Sequence, residues 1–144
     1  MILRIGVKGS TMKSLNDVIE KMEREIDTDN FIETMDHCIQ EIEESGVGIR
    51  AAEPLLEFME RHPFADFGVP GSIVHFLETF YKKGYEEILL RSVKRRPTIH
   101  TIWMLNRVKN GAQEQQKYMN VLKEIVENKK IEKEIRETAE EFLD

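Results

Sequence analysis

His75 and Glu78 stand three residues apart in a stretch of helical periodicity, which places an imidazole and a carboxylate on one face. With His100 arriving from elsewhere in the fold, they make up the ligand set that a small metal-dependent hydrolase would need. The stronger signatures of a bound metal, a His-Glu-x-x-His helix or a pair of cysteines, are absent from the sequence. Pairing of His75 with a neighbouring carboxylate accounts for the spacing without a metal. Other acids recur as Glu-Glu and Glu-x-x-x-Glu on predicted outer helix faces, where they favour solubility. General acid–base catalysis needs two such groups held at different pKa values in one pocket. No serine has the strand–turn–helix setting of a nucleophile elbow. We expect no catalytic residue, no metal and no cofactor.

Three further motifs invite chemistry and are better explained by local structure. Asp66-Phe67-Gly68 matches a magnesium-binding triplet of protein kinases, but neither the Gly-rich loop nor the His-Arg-Asp loop accompanies it. Gly68-Val69-Pro70-Gly71 lacks the Lys-Ser/Thr that completes a phosphate loop, so it reads as a turn aiming the next helix. Lys94-Arg95-Arg96 ends a helix just before Pro97, where cations complement the helix dipole and its free carbonyls. Cys38, the single cysteine, shares helical spacing with Met35, Ile39 and Ile42 and reads as a core residue. Trp103, the single tryptophan, is likewise expected in the core rather than exposed as an interface anchor.

A chain of 144 residues fits one domain and buries roughly two thirds of its unfolded surface without a disulfide. One cysteine cannot form an internal bridge, and nothing points to an oxidising compartment. Charge is unevenly spread. Residues 14–62 carry fourteen acids and four bases, residues 63–111 four acids and eight bases, and residues 112–144 nine acids and six bases. An acidic first half argues against nucleic acid as the partner and suits a basic protein surface. No apolar run reaches the roughly 20 residues of a membrane helix. The opening Met1-Ile2-Leu3-Arg4-Ile5-Gly6-Val7 is too short for a signal-peptide core. Residues 1–11 read as an extension, either an upstream start or a non-native addition, ahead of a natural start at Met12, with residues 12–144 forming a single helical domain.

Helical periodicity runs through nearly all of that domain. Leu15, Val18, Ile19, Met22 and Ile26 share a face behind Ser14 as the N-cap. Asp29 or Asn30 caps a second helix with a stripe of Phe31 or Ile32, Met35, Ile39 and Ile42, closed by Ser45-Gly46. A third ends at Arg61, with Pro54 in its first turn and Leu55, Leu56 and Met59 inside. The stretch from His62 to Gly71 is a loop whose two phenylalanines should pack against the body. A fourth helix uses Ile73, Val74, Leu77 and Phe80, and a fifth, after Gly84, uses Ile88, Leu89 and Val93. Thr98 starts a sixth with Ile99, Ile102, Trp103, Leu105 and Val108, stopped by Asn110-Gly111. The seventh and eighth carry Tyr118, Val121, Leu122 and Ile125, then Ile131, Ile135, Ala139, Phe142 and Leu143. Helix starts recur every 13 to 21 residues or so, and two helices make a unit of roughly 30 to 40. The expected fold is all-α, about eight helices in stacked antiparallel hairpins forming a HEAT-like α-solenoid, with a globular helical bundle as the alternative.

The segment from Asp66 to Glu78, followed by Gly84-Tyr85, Leu89-Leu90 and the run Arg96-Pro97-Thr98-Ile99-His100-Thr101-Ile102-Trp103-Met104-Leu105-Asn106-Arg107, resembles small helical, HEAT-like immunity proteins. Bacteria encode these beside polymorphic or contact-dependent toxins. The resemblance spans about 45 residues, and the flanking helices match in type and length only. It implies a cytoplasmic, non-enzymatic protein that neutralises a cognate protein toxin by binding it. If that toxin is a basic nuclease, carboxylates would cover its phosphate-binding cleft. Candidate contacts are Glu57 and Glu60 on the third helix, Asp66 in the loop, and Glu78 and Tyr81 on the fourth. A HEAT-like adaptor with another protein partner is the alternative function. Neither nucleic acid nor membrane is an expected partner, and the oligomeric state is left open.

Overall fold

The computed structural model describes residues 10–143, with side chains described from Ser14 onward. Among these residues the chain forms eight α-helices and no strand: α1 (Ser10–Glu25), α2 (Phe31–Ser45), α3 (Ala52–Arg61), α4 (Ser72–Glu78), α5 (Tyr85–Arg95), α6 (Ile99–Gly111), α7 (Gln116–Glu127) and α8 (Lys133–Glu141). A short 3₁₀ turn, Gly48–Ala51, leads into α3. The all-α expectation and the number of helices hold.

The boundaries follow local chemistry. Gly46 takes a left-handed conformation, φ 78°, and closes α2, because a glycine lacks the Cβ that penalises this region. Thr98 and Thr101 form a reciprocal capping box that starts α6: each hydroxyl accepts the other residue's backbone N–H at 3.1 Å. The first helix departs from expectation. It begins at Ser10, so Ser14 is an exposed residue inside α1 rather than its N-cap. Residues 1–9 of the expected extension lie outside the described residues, and Ser10 and Thr11 already belong to α1.

Helix stripes predict the core well. Leu15, Val18, Ile19 and Met22 of α1 are buried, as are Met35, Cys38, Ile39 and Ile42 of α2. Leu55, Leu56, Phe58 and Met59 of α3 are entirely shielded; each side chain of this size contributes roughly 1.5–3 kcal/mol through burial. Of the two alternatives at the start of α2, Phe31 is buried and Ile32 exposed. Burial pushes the Cys38 thiol above its ordinary pKa, which disfavours the reactive thiolate and suits a packing role.

Consecutive helices pair in the α1/α2, α5/α6 and α7/α8 hairpins. Across hairpins, α1 packs on α3 and α3 on α5, while α2 packs on α4 and α6 on α8. The odd helices α1, α3 and α5 thus form a row, while among the even ones α2 meets α4 and α6 meets α8, and α6 packs on α7 as well. The seam between α3 and α5 is closed by charge as well as by apolar contact. Arg95 reaches Glu60 with two nitrogens at 2.8 and 2.6 Å and Glu53 with a third at 3.0 Å. Ser92 donates to Glu60 at 2.6 Å, and Arg91 joins Glu53 at 3.3 Å. No described helix is long and apolar enough to cross a membrane.

Candidate protein-binding groove

The loop between α3 and α4 is built to hold one side chain in and display others. His62 ends α3, and its ring both stacks edge-on against Phe58 and hydrogen-bonds Glu23 of α1. Asp66 accepts the Gly68 N–H at 2.9 Å, which forms a turn. Phe67 then dives into the core, with edge contacts to Phe31, Phe58 and His100 at centroid distances of 5.9, 5.8 and 5.2 Å. Gly68 and Gly71 both have φ near +95°, at 96° and 94°. A Cβ on Gly71 would sit 1.7 Å from the Phe67 carbonyl oxygen, so only glycine permits this closure. One of the two loop phenylalanines therefore packs down as expected. The other, Phe64, is half exposed, and Val69 is fully so.

Opposite the loop lies α6, aimed by its capping box. His100, Trp103 and Arg107 follow one another at spacings of three and four, along one face of that helix. His100 joins the loop to the helix: its Nε2 lies 3.1 Å from the Ala65 carbonyl oxygen. A carbonyl only accepts, so Nε2 carries the proton and Nδ1 is an acceptor. Burial lowers the pKa of His100 below its ordinary value, against the opposing pull of that carbonyl and of Asp66, which favours the neutral ring. Trp103 is the main correction to the sequence reading. It is 48% exposed rather than in the core, and rests edge-on against Phe142 at 5.0 Å. Its neighbours Ile102 and Met104 take the buried positions instead.

Loop and helix enclose a groove of about 370 Å³. Val69, Pro70, Val74, Ile99 and Trp103 give it apolar walls. His100 and Arg107 supply its polar edge. Arg107 also donates through Nε to Glu78 at 2.7 Å, tying α6 to α4. Beyond that ion pair is a second hollow of about 290 Å³, bordered by Tyr81 and Tyr85. Tyr81 donates to the Gly111 carbonyl at 3.3 Å. The Tyr85 hydroxyl is buried without a partner among the described residues, and burial raises its pKa well above the usual phenol range.

The five sequence-derived contacts fall into different settings. Glu78 and Tyr81 come together beside Arg107, but both already have intramolecular partners. Glu60 is committed to Arg95 and Ser92, with only 9% of its side chain exposed. Asp66 is exposed in the loop, and Glu57 is exposed on α3. The carboxylates therefore do not make one free acidic patch. The basic run is dispersed too: Arg95 serves the α3–α5 seam, Arg96 forks onto Glu132 at 3.0 and 2.7 Å, and Lys94 is exposed. His75 is exposed, Glu78 is paired with Arg107, and His100 is bonded to the loop. Among the described residues no group of three or more His, Cys, Asp or Glu side chains could hold a metal ion. Sequence reasoning missed Val69 and Trp103 as surface features. The signal available was the Gly-Val-Pro-Gly turn itself, since a lone valine between a glycine and a proline has no helical stripe to join. In comparisons with known proteins the chain matches no family model, no curated protein and no solved structure.

Proposed function

We propose that this chain is a cytoplasmic, non-enzymatic immunity-type protein that neutralises a cognate bacterial toxin through a direct protein–protein complex. The observation that carries the reading is the groove. The segment that resembles immunity proteins presents Val69 and Trp103 to solvent around one apolar hollow, with Arg107 at its edge. Exposed large apolar side chains around a concavity are the usual form of a binding anchor site, and tryptophan and arginine are enriched among interface hot spots. Co-expression with the product of the adjacent gene tests it. Growth rescue together with a co-purifying complex is the expected result. A neighbour that is harmless alone, or stays lethal beside well-folded protein, overturns the reading for that pair.

A HEAT-like adaptor is the second reading, and the α1/α2, α5/α6 and α7/α8 hairpins with the α1–α3–α5 row favour it. Stacked hairpins of this kind present extended surfaces to protein partners of many types. It calls for a regulatory defect on deletion and no toxic neighbour.

A further inference from the structure

Resting on the protein-binding reading, we infer that the groove between the His62–Gly71 loop and α6 accepts an apolar side chain from an acidic segment of the partner, the partner's carboxylate going to Arg107. The walls set the first half of this specificity. The side chains of Val69, Pro70, Val74, Ile99 and Trp103 offer no hydrogen bond along the groove apart from the indole N–H, and 370 Å³ is at the small end of ligand pockets. That volume suits a large side chain and little more.

Charge sets the second half. Arg107 uses Nε for Glu78, and its two terminal nitrogens have no protein partner among the described residues. A planar guanidinium with its outer edge unused is a donor fork for a carboxylate. Glu78 accepts from Arg107, and the other nearby acid, Asp66, turns back on the Gly68 N–H at the opposite, His100 end. His100 and Arg107 are seven residues apart, about 10 Å along the helix. The groove is therefore polarised, with the free guanidinium edge of Arg107 at one end and His100, with the Asp66 carboxylate near it, at the other. An acidic group fits only at the Arg107 end. Of the other bases in residues 63–111, Arg91, Arg95 and Arg96 are already paired to Glu53, Glu60 and Glu132, so Arg107 itself supplies the charge at the groove. The carboxylates of the first half lie outside this contact.

Trp103 is the only tryptophan in the chain, so indole fluorescence reports groove occupancy directly. The probe is a capped tetrapeptide alternating phenylalanine with glutamate. Its controls replace glutamate by lysine, or phenylalanine by alanine. Saturable change in Trp103 emission with the first peptide alone is expected. Arg107→Glu should weaken that peptide by about fivefold or more and reverse the preference toward lysine. Val69→Asp, at a fully exposed site, should abolish the response without loss of helicity. No emission change with any peptide, or equal binding of the lysine peptide, overturns the inference. The adjacent gene's product, assayed by co-elution, separates the two levels. Undiminished binding to both Arg107→Glu and Val69→Asp would leave a protein-binding role standing and remove the groove from it. If that product does not bind the native chain, the immunity reading fails and the peptides alone decide the groove.

Discussion

The two flanks of the α5/α6 hairpin are finished in opposite ways. Against α3, helix α5 is sealed by Glu53, Glu60, Arg91, Ser92 and Arg95 above a shielded apolar layer. Against the α3–α4 loop, helix α6 leaves Trp103 half exposed and Val69 fully so. Both flanks have apolar side chains to cover, but only one is covered by the chain itself. The difference separates holding the fold together from meeting a partner. Charged groups that close a seam lose their freedom to bind elsewhere, which is why Glu60 is a poor interface residue and an effective brace. An open apolar seam adds little to stability and leaves its surface to be buried on association.

Substitutions can break this contrast at either flank. Leu56→Ala under the closed flank should have the largest effect, lowering unfolding free energy by about 2–5 kcal/mol in a denaturant titration, because the residue is wholly buried. Gly71→Ala should cost about 1–3 kcal/mol, given φ 94° and the 1.7 Å approach to the Phe67 carbonyl. It should also change Trp103 emission in the free protein, since the loop wall of the groove must move. Glu60→Ala should cost about 1–3 kcal/mol by leaving Ser92 without its acceptor and Arg95 with Glu53 alone; Glu57→Ala, on the same helix but exposed, should be close to neutral.

Acid should loosen the open flank through His100. Its folded pKa is depressed by burial, so the unfolded chain takes up the proton more readily. Stability is therefore fully present above the ordinary histidine value of 6.5 and declines as pH falls below it, until the folded pKa is passed. His100→Gln should flatten that part of the pH–stability curve. The smallest effect on folding belongs to Val69→Asp, within about 0.5 kcal/mol of the native chain, while its effect on partner binding should be complete. A Val69→Asp protein that melts early would mean that the loop contributes to the core, and the contrast between flanks would lose its basis.

Periodicity and local caps determined that the described residues are all-helical, which stripes they bury and where most helices break, although α4 ends at Glu78 and leaves Phe80 and Tyr81, expected on it, in the following turn. Those features depend on residues three or four apart and on local caps, all visible in the letters: Gly46 at the end of α2, Pro54 in the first turn of α3, Thr98 ahead of α6. Even the helix start that differs, Ser10 instead of Ser14, is a local matter of where α1 begins. What covers a side chain is not local. Ile102 and Trp103 are adjacent in a helix and equally apolar in the sequence, yet one faces the core and the other the groove. A stripe's edge is decided by which neighbour packs beside it, and the neighbour of Trp103 is a loop more than thirty residues away, held off by a turn that keeps Val69 outside. The fate of the charges was decided at similar range, as Glu60 met Arg95, Glu78 met Arg107 and Glu132 met Arg96 across 35, 29 and 36 residues. Charge can be counted in a sequence, but whether a carboxylate braces the fold or remains free for a partner depends on which helix lies opposite, and only the packed structure settles that.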